Sequence, residues 1–383
     1  MGGTGRLVML IHVRFAETQA DQTAIYRLRY QIYVEELRRN EPADHDRRLM
    51  PDPPGRNPRL LLTEHDGAVI GTLRLDWGGD GPFSAEDRAI YRLDELERIV
   101  RPEQIAIFSR FMTALDYRGG DAPGLLIDAM IRFVLAHEIR VLLCDCRPPL
   151  INTYLRLGFR VFGDLVNEAS VGVLVPLILL IDDHDHMAAV GSRIHPFVSL
   201  VAADTALRDR LLALLPAEPK AATLESPQDA PQWTRVLEVL TAVSPERFPI
   251  FQGLSVADVA RLTSMSNVIV CGAGDLIIRQ GTIDSMVCVV LQGAVDVVRD
   301  GRVIQRRHAG SVLGEIGFLV NAPRTADIVA ACDSRLICLR QSTMTALIAT
   351  EPGVAAPLLF NLARILALRL AAPDALPLSP GSP

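Results

Sequence analysis

Glu315 and Arg324 flank a short, glycine-bounded turn within residues 310–326, whose sequence is GSVLGEIGFLVNAPRTA. Backbone N–H groups that converge in such a turn can hold a phosphate, and an arginine beside it adds fork-shaped, charge-assisted hydrogen bonds to the phosphate oxygens. A carboxylate accepts hydrogen bonds, so Glu315 can bind a ribose hydroxyl. The segment therefore predicts a site for a cyclic sugar-phosphate; the alternative is an ordinary β-hairpin that carries a surface ion pair.

The same segment resembles the phosphate-binding cassette of cyclic-nucleotide-binding domains, in which a Gly-Glu pair is followed by Pro/Arg-Arg-Thr/Ser-Ala. Arg279–Gly281 and Val287–Val297 resemble paired strands of the same β-roll, so the likeness covers about residues 245–370. Thr325 is compatible with either purine base, and we favour cAMP over cGMP because of its general frequency in bacteria-like, arginine-rich chains. The resemblance implies that the nucleotide is bound by Gly314, Glu315, Ile316, Gly317, Arg324, Thr325 and Ala326.

Two segments of the N-terminal half, DYRGGDAPGLL at 116–126 and NTYLRLGF at 152–159, resemble the GCN5-related N-acyltransferase fold. In that family the first is a turn at a helix N-terminus whose amides hold the pyrophosphate of an acyl donor. The resemblance implies that the tyrosine of the second, here Tyr154, protonates the departing thiolate. Asp121 and Pro123 replace the usual Gly and Gly/Ala, so the donor is left open between acyl-CoA and acyl carrier protein. The resemblance implies that the donor is bound by Phe111, Met112, Thr113, Arg118, Gly119, Gly120 and Gly124.

Four further segments resemble one branch of that fold, the acyl-homoserine-lactone synthases and N-acyl amino acid synthases, which commonly use acyl carrier protein. These segments are Arg29–Tyr33, Glu41–Asp46, Gly71–Leu75 and Ser109–Phe111. The glutamate expected two residues before Ser109 is Ile107 here, which argues against a lactone synthase and leaves the wider branch. The resemblance implies that the substrate is bound by Arg29, Asp46, Arg74 and Arg110.

Three residues could transfer protons during acyl transfer, and each has an ordinary structural role as its alternative. Tyr154 is either the general acid or a packed core tyrosine. Asp145, at the end of a strand, is either catalytic or a turn-forming residue. Glu64 could relay the proton of the attacking amine through water, or it is an exposed strand-end carboxylate. The run Asp182–His186 is typical of a solvated loop after a buried strand, so no metal is predicted.

The length of 383 residues exceeds one typical core, so we expect two domains and a linker. A net charge of −6 gives no electrostatic footprint for nucleic acid. The six cysteines lie mostly in apolar runs without CxxC spacing, which favours reduced thiols in a cytoplasmic protein. The longest apolar run, Val171–Ile181, is too short to span a bilayer, and no signal-peptide cleavage site is visible.

Hydrophobic periodicity and turn residues predict the elements that must position these sites. Strands are expected at Leu7–Phe15, Leu60–Glu64, Ala68–Asp76, Ile105–Leu115, Val141–Cys146, near Val161 and at Val171–Ile181, and helices at Thr23–Leu37, Gly124–His137, Leu150–Leu157, 186–215 and Val354–Leu370. This order predicts an α+β chain, in which a GNAT-like mixed sheet with flanking helices is followed by a β-roll and a C-terminal helix. The predicted domain limits are 1–185, 186–231 with the linker Ala217–Pro231, 232–371, and a flexible tail at 372–383.

Together these sites predict an N-acyltransferase, acting on an amine or a protein lysine, that is regulated by a cyclic nucleotide. The alternative is a non-catalytic nucleotide-binding protein whose acyltransferase-like half is a binding module. A transcription factor of the catabolite-activator type is excluded, because no helix-turn-helix follows Leu370. We expect the nucleotide to relieve inhibition by domain contact through the linker. That linker carries Lys220, the single lysine of the chain and the candidate for self-acylation.

Overall fold

Runs of apolar residues form the strands of the N-terminal sheet. The structure, a computed structural model, describes residues 11–53, 57–216, 221–223 and 248–371. The first strands are β1 (His12–Phe15), β2 (Arg59–His65), β3 (Ala68–Trp77), β4 (Ile105–Thr113), β5 (Val141–Cys146), β6 (Arg160–Val161), β7 (Val166–Glu168) and β8 (Gly172–Leu180). They form a mixed sheet in the order β1-β2-β3-β4-β5-β8-β6, with β7 paired to β8. The predicted mixed sheet is confirmed.

Strands β2 and β3, predicted at Leu60–Glu64 and Ala68–Asp76, form a hairpin. The two strands pair antiparallel, from Arg59 with Leu75 to His65 with Ala68. Both turn residues are left-handed, Asp66 with φ of 52° and Gly67 with φ of 74°. A turn of this kind matches the twist of the flanking strands, and it favours Asp-Gly at its two central positions.

Helices flank this sheet, and the first differs from its prediction. It begins earlier than Thr23, because Thr18 and Asp21 form a capping box, and its last part is a π-helical segment, Gln31–Glu36. The helices are α1 (Gln19–Tyr30), α2 (Ala85–Ile90), α3 (Leu93–Leu96), α4 (Asp121–Ala136), α5 (Ile151–Arg156), α6 (His184–Ala189), α7 (His195–Val198) and α8 (Thr205–Leu212). The region predicted as helical over 186–215 is thus three short helices.

Strand β4 is distorted in the middle of the sheet. Its pairing with β3 shifts register between Thr72 and Arg74, and Arg110 within it has a left-handed φ of 52°. Such a β-bulge bends a strand and redirects a side chain. The parallel ladder between β4 and β5 comprises three residue pairs, from Ile105–Val141 to Ile107–Leu143, although β4 itself has nine residues. The bulge therefore lies beyond the stretch in which β4 and β5 are paired in this ladder.

The C-terminal part contains two antiparallel sheets, as predicted for a β-roll. Their strands are β9 (Ala221–Thr223), β10 (Asn267–Cys271), β11 (Leu276–Ile278), β12 (Met286–Gln292), β13 (Ala294–Arg299), β14 (Arg302–His308), β15 (Val312–Leu313), β16 (Asp327–Ala330) and β17 (Ser334–Arg340). One sheet has the order β15-β12-β17-β10-β9 and the other the order β11-β16-β13-β14. The predicted α+β fold class is confirmed.

Four helices accompany these sheets in the described part of the C-terminal region: α9 (Val256–Ser264), α10 (Glu315–Val320), α11 (Gln341–Thr350) and α12 (Pro352–Ala371). Helix α12, predicted as Val354–Leu370, packs through Leu358 and Leu362 into an apolar cluster with Phe251 and Phe318. Among the residues that the structure describes, α12 is the single helix whose length and apolar composition could cross a membrane. Its packing into the cluster accounts for part of that apolar character.

The chain forms two compact units that are not contiguous in sequence. The first contains the described residues up to Asp145 together with Leu157–Arg160 and Leu177–Leu215, and the second contains Cys146–Arg156, Val161–Pro176 and the described residues from Pro216 onward. The domain limits given above remain predictions. Of the predicted linker, Ala221–Thr223 is strand β9, paired with β10, whereas Lys220, most of the linker and the tail 372–383 lie outside the described residues.

Candidate active site and nucleotide pocket

Three arginines converge on Asp52 at one face of the N-terminal sheet. Arg29 Nη1 donates to Asp52 Oδ1 at 2.9 Å. Arg74 Nη1 and Arg110 Nε lie 3.3 Å and 4.0 Å from the same oxygen. The side chains of Arg29, Arg74 and Asp52 are buried, at 0%, 6% and 5% exposure. The structure thus brings three of the four predicted substrate residues together around a carboxylate that the sequence reasoning missed.

Each arginine reaches Asp52 from a different element. Arg29 lies in the last turn of α1, and Arg74 lies on β3. Arg74 pairs with Ser109, so in a regular strand Arg110 would point to the other face. The bulge at Arg110 redirects its side chain to the Asp52 side. The loop that carries Asp52 is held to α1 by a hydrogen bond from Met50 N to Tyr26 O of 3.0 Å.

The arginine cluster contains buried polar atoms without hydrogen-bond partners: Arg29 Nε and Nη2, Arg74 Nε and Asp52 Oδ2. Burial lowers the pKa of Arg29, and the charge of Asp52 opposes that shift. A buried donor without a partner is costly, so these atoms favour a polar ligand. Asp76, which accepts from Arg74 at 2.8 Å, is the second carboxylate bound to the cluster. Three guanidinium groups against two carboxylates leave one positive charge, which suits a small carboxylate anion.

Asp46, the fourth predicted substrate residue, is exposed, and the described contacts include no ion pair between it and these arginines. Asp44 and Leu49 exchange backbone hydrogen bonds of 2.8 and 3.0 Å, which closes a tight turn and places Asp46 outside it. The chain then returns, and Asp52 occupies the buried position. An acid between two prolines, Pro51 and Pro53, was the one local signal for Asp52.

The predicted donor-binding residues lie at the end of β4 and the start of α4. Met112 and Thr113 are buried, and Phe111 is half-buried. Arg118 Nε donates to Thr113 O at 3.1 Å, and Arg118 Nη2 donates to Glu36 at 2.7 Å. Gly119 is left-handed and Gly120 caps α4. The turn therefore has the predicted backbone form, with its arginine already bound to a carboxylate.

Gly124, in the first turn of α4, lies against the side chain of Arg193. A Cβ atom at this position would lie 2.6 Å from the guanidinium of Arg193. Arg193 is held there by two hydrogen bonds to Asp128, of 2.8 and 2.7 Å. Gly124 thus makes room for an arginine beside the donor turn, and Arg193 adds a positive charge that the sequence reasoning did not find.

The three proton-transfer candidates lie in different places. Glu64 accepts from Arg14 at 3.4 Å near the hairpin end of β2. The β2 residue paired with Arg74 is Leu60, so Glu64 lies roughly 13 Å farther along the strand, at 3.4 Å per residue. Asp145, at the end of β5, accepts a hydrogen bond from Tyr91 Oη at 2.7 Å. Tyr154 is buried in α5.

The predicted nucleotide residues lie in the second unit, in the segment between β15 and β16, which we refer to as the candidate nucleotide pocket. Arg324 is buried, donates from Nη1 to Gly314 O and from Nη2 to Met286 O, each at 2.5 Å, and its Nε is buried without a partner. Gly314 has a φ of 76°, and a Cβ there would lie 2.3 Å from Arg324 Nη1. Glycine is therefore required beside the arginine. The remaining predicted residues are Glu315, Gly317 and Ala326, which are buried, and Ile316 and Thr325, which are exposed.

Two further residues, Arg369 and Asp284, contact Glu315 and Arg324, the residues predicted to bind the ribose and the phosphate. Arg369, in the last turn of α12, donates from Nη1 to Glu315 Oε1 at 2.5 Å and from Nη2 to Val312 O at 2.6 Å. Asp284, with a side chain 7% exposed, lies 3.8 Å from Arg324 Nη2 through Oδ1 and accepts from Arg147 through Oδ2. Arg147 directly follows β5, which ends at Cys146. Hydrogen bonds thus connect the candidate pocket to the C-terminal helix through Arg369 and to the segment that follows β5 through Arg147.

The polar run Asp182–His186 is not the solvated loop that was predicted. Asp182 and Asp183 are buried, and they accept from Arg140 at 3.0 Å and Arg160 at 2.7 Å. Burial first, and the charge of Arg160 second, lower the pKa of His186 to about 4. The described residues contain no cluster of three potential metal ligands. Arginines on β6 and before β5 account for the burial of these acids.

Comparison with known proteins agrees with this division of sites. Residues 24–181 match the family described as N-acyl amino acid synthase FeeM, and residues 269–351 match the cyclic nucleotide-binding domain. The chain carries a FeeM-type acyltransferase domain and a cyclic nucleotide-binding domain. The predicted resemblances to the N-acyl amino acid synthases and to the cyclic-nucleotide-binding domains are thereby confirmed. The arginine cluster lies within the FeeM-type domain, and the pocket of Glu315 and Arg324 lies within the nucleotide-binding domain.

Individual relatives share parts of the chain. It is 36% identical over 70 residues to the cGMP-dependent protein kinase egl-4 of Caenorhabditis elegans, which covers 18% of the chain and 9% of the kinase. It is 28% identical over 152 residues to a cAMP-dependent protein kinase regulatory subunit of Mycosarcoma maydis, covering 35% and 29%. The chain thus spans less than a third of either relative. Among solved structures, the AHL synthase LasI covers 45% of the chain and is itself covered to 90%, at 19% identity and a TM-score of 0.36.

Proposed function

We propose that the protein transfers an acyl group from a thioester to the amine of an acceptor that carries a carboxylate, under the control of a cyclic nucleotide. The observation that supports the acceptor class is the buried arginine cluster around Asp52, with its unpartnered donors and its net positive charge. A carboxylate bound by Arg29, Arg74 and Arg110 would fix an amino acid by one end. Its amine would then lie at the sheet face beside the bulge of β4.

The acyl donor enters this proposal through the end of β4 and the start of α4. The turn at Arg118–Gly120 and the positive charge of Arg193 would hold the phosphate of a phosphopantetheine arm, from acyl-CoA or from acyl carrier protein. No covalent enzyme intermediate is required, because the site contributes proximity and orientation to a direct attack on the thioester. Tyr154 is proposed to protonate the departing thiolate, and Tyr154→Phe should lower kcat more than it raises KM.

The nucleotide is proposed to bind with its phosphate on Arg324 and its ribose on Glu315. The buried Arg324 Nε without a partner supports a phosphate there, because an anion would accept its hydrogen bond. We keep cAMP as the favoured ligand over cGMP. The free cysteines, five of them buried, fit the reducing cytoplasm in which we place the reaction.

Control by the nucleotide is proposed to run through Asp284. A phosphate on Arg324 would compete with Asp284 for the arginine's charge and leave Asp284 to Arg147. Arg147 follows Asp145 at the end of β5, so a change in its pairing acts on a strand of the acyltransferase fold. We propose that the nucleotide relieves inhibition, with a coupling of roughly 1–3 kcal/mol. Asp284→Asn should reduce the ratio of rates with and without nucleotide, whereas Asp296→Asn, which removes an ion pair with Arg306 in the same domain, should leave the ratio unchanged.

The acceptor class is tested with matched pairs of amines. The full-length protein is incubated with dodecanoyl-CoA or dodecanoyl acyl carrier protein, with cAMP, and with either glycine or glycinamide, and the N-acyl product is measured by mass spectrometry. The same comparison is made for other amino acids and their amides. We expect product from the carboxylates and at least tenfold less from the amides. Equal rates for the members of each pair would contradict a carboxylate-binding role for the arginines.

Two observations support a non-catalytic alternative. Arg193 lies across Gly124, and Asp121 stands in the donor turn, so both differ from an ordinary pyrophosphate site. A protein that binds cyclic nucleotide but yields no N-acyl product with any donor and acceptor would have a degenerate acyltransferase fold that serves as a binding module. Self-acylation of Lys220 remains a prediction, which peptide mapping after incubation with the acyl thioester would test.

A further inference from the structure

Arg118, in the turn proposed to bind the acyl donor, is held by a carboxylate from another element. Its Nη1 and Nη2 atoms donate to the two carboxylate oxygens of Glu36 at 2.5 and 2.7 Å. We propose that Glu36 competes with the phosphate of the donor for Arg118, so that the thioester enters and the spent thiol leaves by exchange of carboxylate and phosphate. This inference rests on the proposed function, which places that phosphate at Arg118, and adds the residue that sets the strength of the contact.

The carboxylate of Glu36 presents to Arg118 the same pattern of acceptors as a phosphate. Arginine binds carboxylates and phosphates alike through parallel N–H groups, each group donating to a different oxygen. A further donor of Arg118, Nε, bonds Thr113 O at 3.1 Å at the end of β4. That bond can hold the arginine in the turn while Nη1 and Nη2 change partners. A phosphate can therefore replace Glu36 while Arg118 stays attached to β4.

Glu36 can leave Arg118 by a change in its own side-chain rotamer. It is the last residue of the π-helical segment Gln31–Glu36, in which Leu37 N donates to Ile32 O at 2.9 Å. The side chains of Arg118 and Glu36 are 38% and 31% exposed, so water can solvate the released carboxylate. Partly exposed ion pairs contribute little free energy, and this pair is therefore weak enough to be exchanged.

The exchange matters because the phosphate takes no part in the chemistry. It is bound alike in the thioester, in the transition state and in the thiol product. Uniform binding of this kind lowers KM without raising kcat. It also holds the spent thiol as tightly as the thioester, and product release limits kcat in many enzymes. Competition by Glu36 weakens the binding of both and so favours departure of the thiol.

Two thioesters that differ only in the phosphate provide the test. S-dodecanoyl phosphopantetheine carries the arm shared by acyl-CoA and acyl carrier protein, and S-dodecanoyl pantetheine lacks its phosphate. The Kd of each is measured by calorimetry for the full-length protein with cAMP, in the wild type, in Glu36→Gln, in Arg118→Gln and in the double variant. Glu35→Gln is the matched control, because the adjacent Glu35 pairs with Arg48 instead of with the donor turn. Thermal unfolding verifies that each variant is folded.

We expect Glu36→Gln to bind the phosphorylated thioester about threefold to fivefold more tightly than the wild type, as suits a partly exposed ion pair. The Kd for the thioester without phosphate should not change, and Glu35→Gln should behave like the wild type. Arg118→Gln should weaken binding of the phosphorylated thioester alone, and in that background Glu36→Gln should have no effect. An unchanged Kd in Glu36→Gln, or equal tightening for both thioesters, would overturn the competition.

Kinetics with glycine as acceptor separate this inference from the proposed function. Glu36→Gln should lower the KM for the phosphorylated thioester by the same factor, leave kcat no higher than in the wild type, and strengthen inhibition by phosphopantetheine. N-acyl product formed with equal KM values in the wild type and Glu36→Gln would overturn the competition and leave the function intact. Tighter binding by Glu36→Gln without any N-acyl product would leave the competition intact and overturn the function. Absence of binding in the wild type and in every variant would overturn both.

Discussion

Replacing Arg369 by glutamine should tighten the binding of cyclic nucleotide. In the structure Arg369 occupies Glu315 Oε1 at 2.5 Å, and the two side chains are 25% and 10% exposed. A ribose hydroxyl that bonds the same carboxylate must compete with this guanidinium. Hydrogen bonds to charged groups contribute roughly 1.5–3 kcal/mol, and partial exposure of the arginine places this one at the lower end. Because about 1.4 kcal/mol corresponds to a factor of ten, Kd should fall about tenfold.

The measurement is calorimetric titration of the full-length protein with cAMP and with cGMP. Arg364→Gln is the matched control, because Arg364 lies on the same helix and donates to Gln252 instead of to the pocket. We expect Arg369→Gln to bind tighter and Arg364→Gln to bind like the wild type. Weaker binding by Arg369→Gln would refute competition and would show that Arg369 supports the ligand. An unchanged Kd would show that ribose and guanidinium share the carboxylate.

Three further predictions follow from buried charges. Arg324→Ala should weaken nucleotide binding by roughly 2–5 kcal/mol, measured by calorimetry, because it leaves the phosphate without its partner; a Kd within twofold of the wild type would contradict the assignment. Asp52→Ala should lower the free energy of unfolding, measured by urea titration, by about 3–5 kcal/mol, because Arg29 is then buried without its ion-pair partner. As a control, Asp80→Ala removes a partly exposed ion pair with Arg59 and should lower the same free energy by less than about 1 kcal/mol. His186 has a folded-state pKa of about 4 against 6.5 for the free residue, so the unfolded chain binds more protons between these values. The contribution of His186 to the free energy of unfolding is complete above pH 6.5 and is lost as the pH falls toward 4. The free energy of unfolding of the wild type should therefore fall by about 2 kcal/mol between pH 7 and pH 5. The same fall in a His186→Gln variant would be inconsistent with this origin.

The nucleotide-binding domain could be predicted from the sequence because the residues of its candidate pocket are local. Glu315 and Arg324 belong to one short segment, and Gly314 is required by the close approach of the Arg324 guanidinium. The contacts that tie this pocket to the rest of the chain are distant in sequence. Arg369 reaches Glu315 from the C-terminal helix, and Arg147 reaches Asp284 from the loop after β5. Pairing of this kind follows from packing and leaves no periodic signal.

The arginine cluster was predictable only in part. Arg29 and Arg74 are polar residues in apolar elements, so their burial with a partner could be expected. The carboxylate that pairs with these arginines is determined by the turn after Asp44. The segment Glu41–Asp46 contains several acidic residues, so the sequence did not identify Asp52 as the partner. The bulge that redirects Arg110 also depends on sheet pairing.

The central claim is that one chain joins N-acyl transfer to a cyclic-nucleotide site. The most direct test is the rate at which the full-length protein forms N-acyl amino acid as cAMP or cGMP is titrated, compared with the Kd of the same nucleotide from calorimetry. We predict that product formation rises with nucleotide and that its midpoint coincides with the Kd. A rate of product formation that does not change between no nucleotide and saturating nucleotide would contradict the claim.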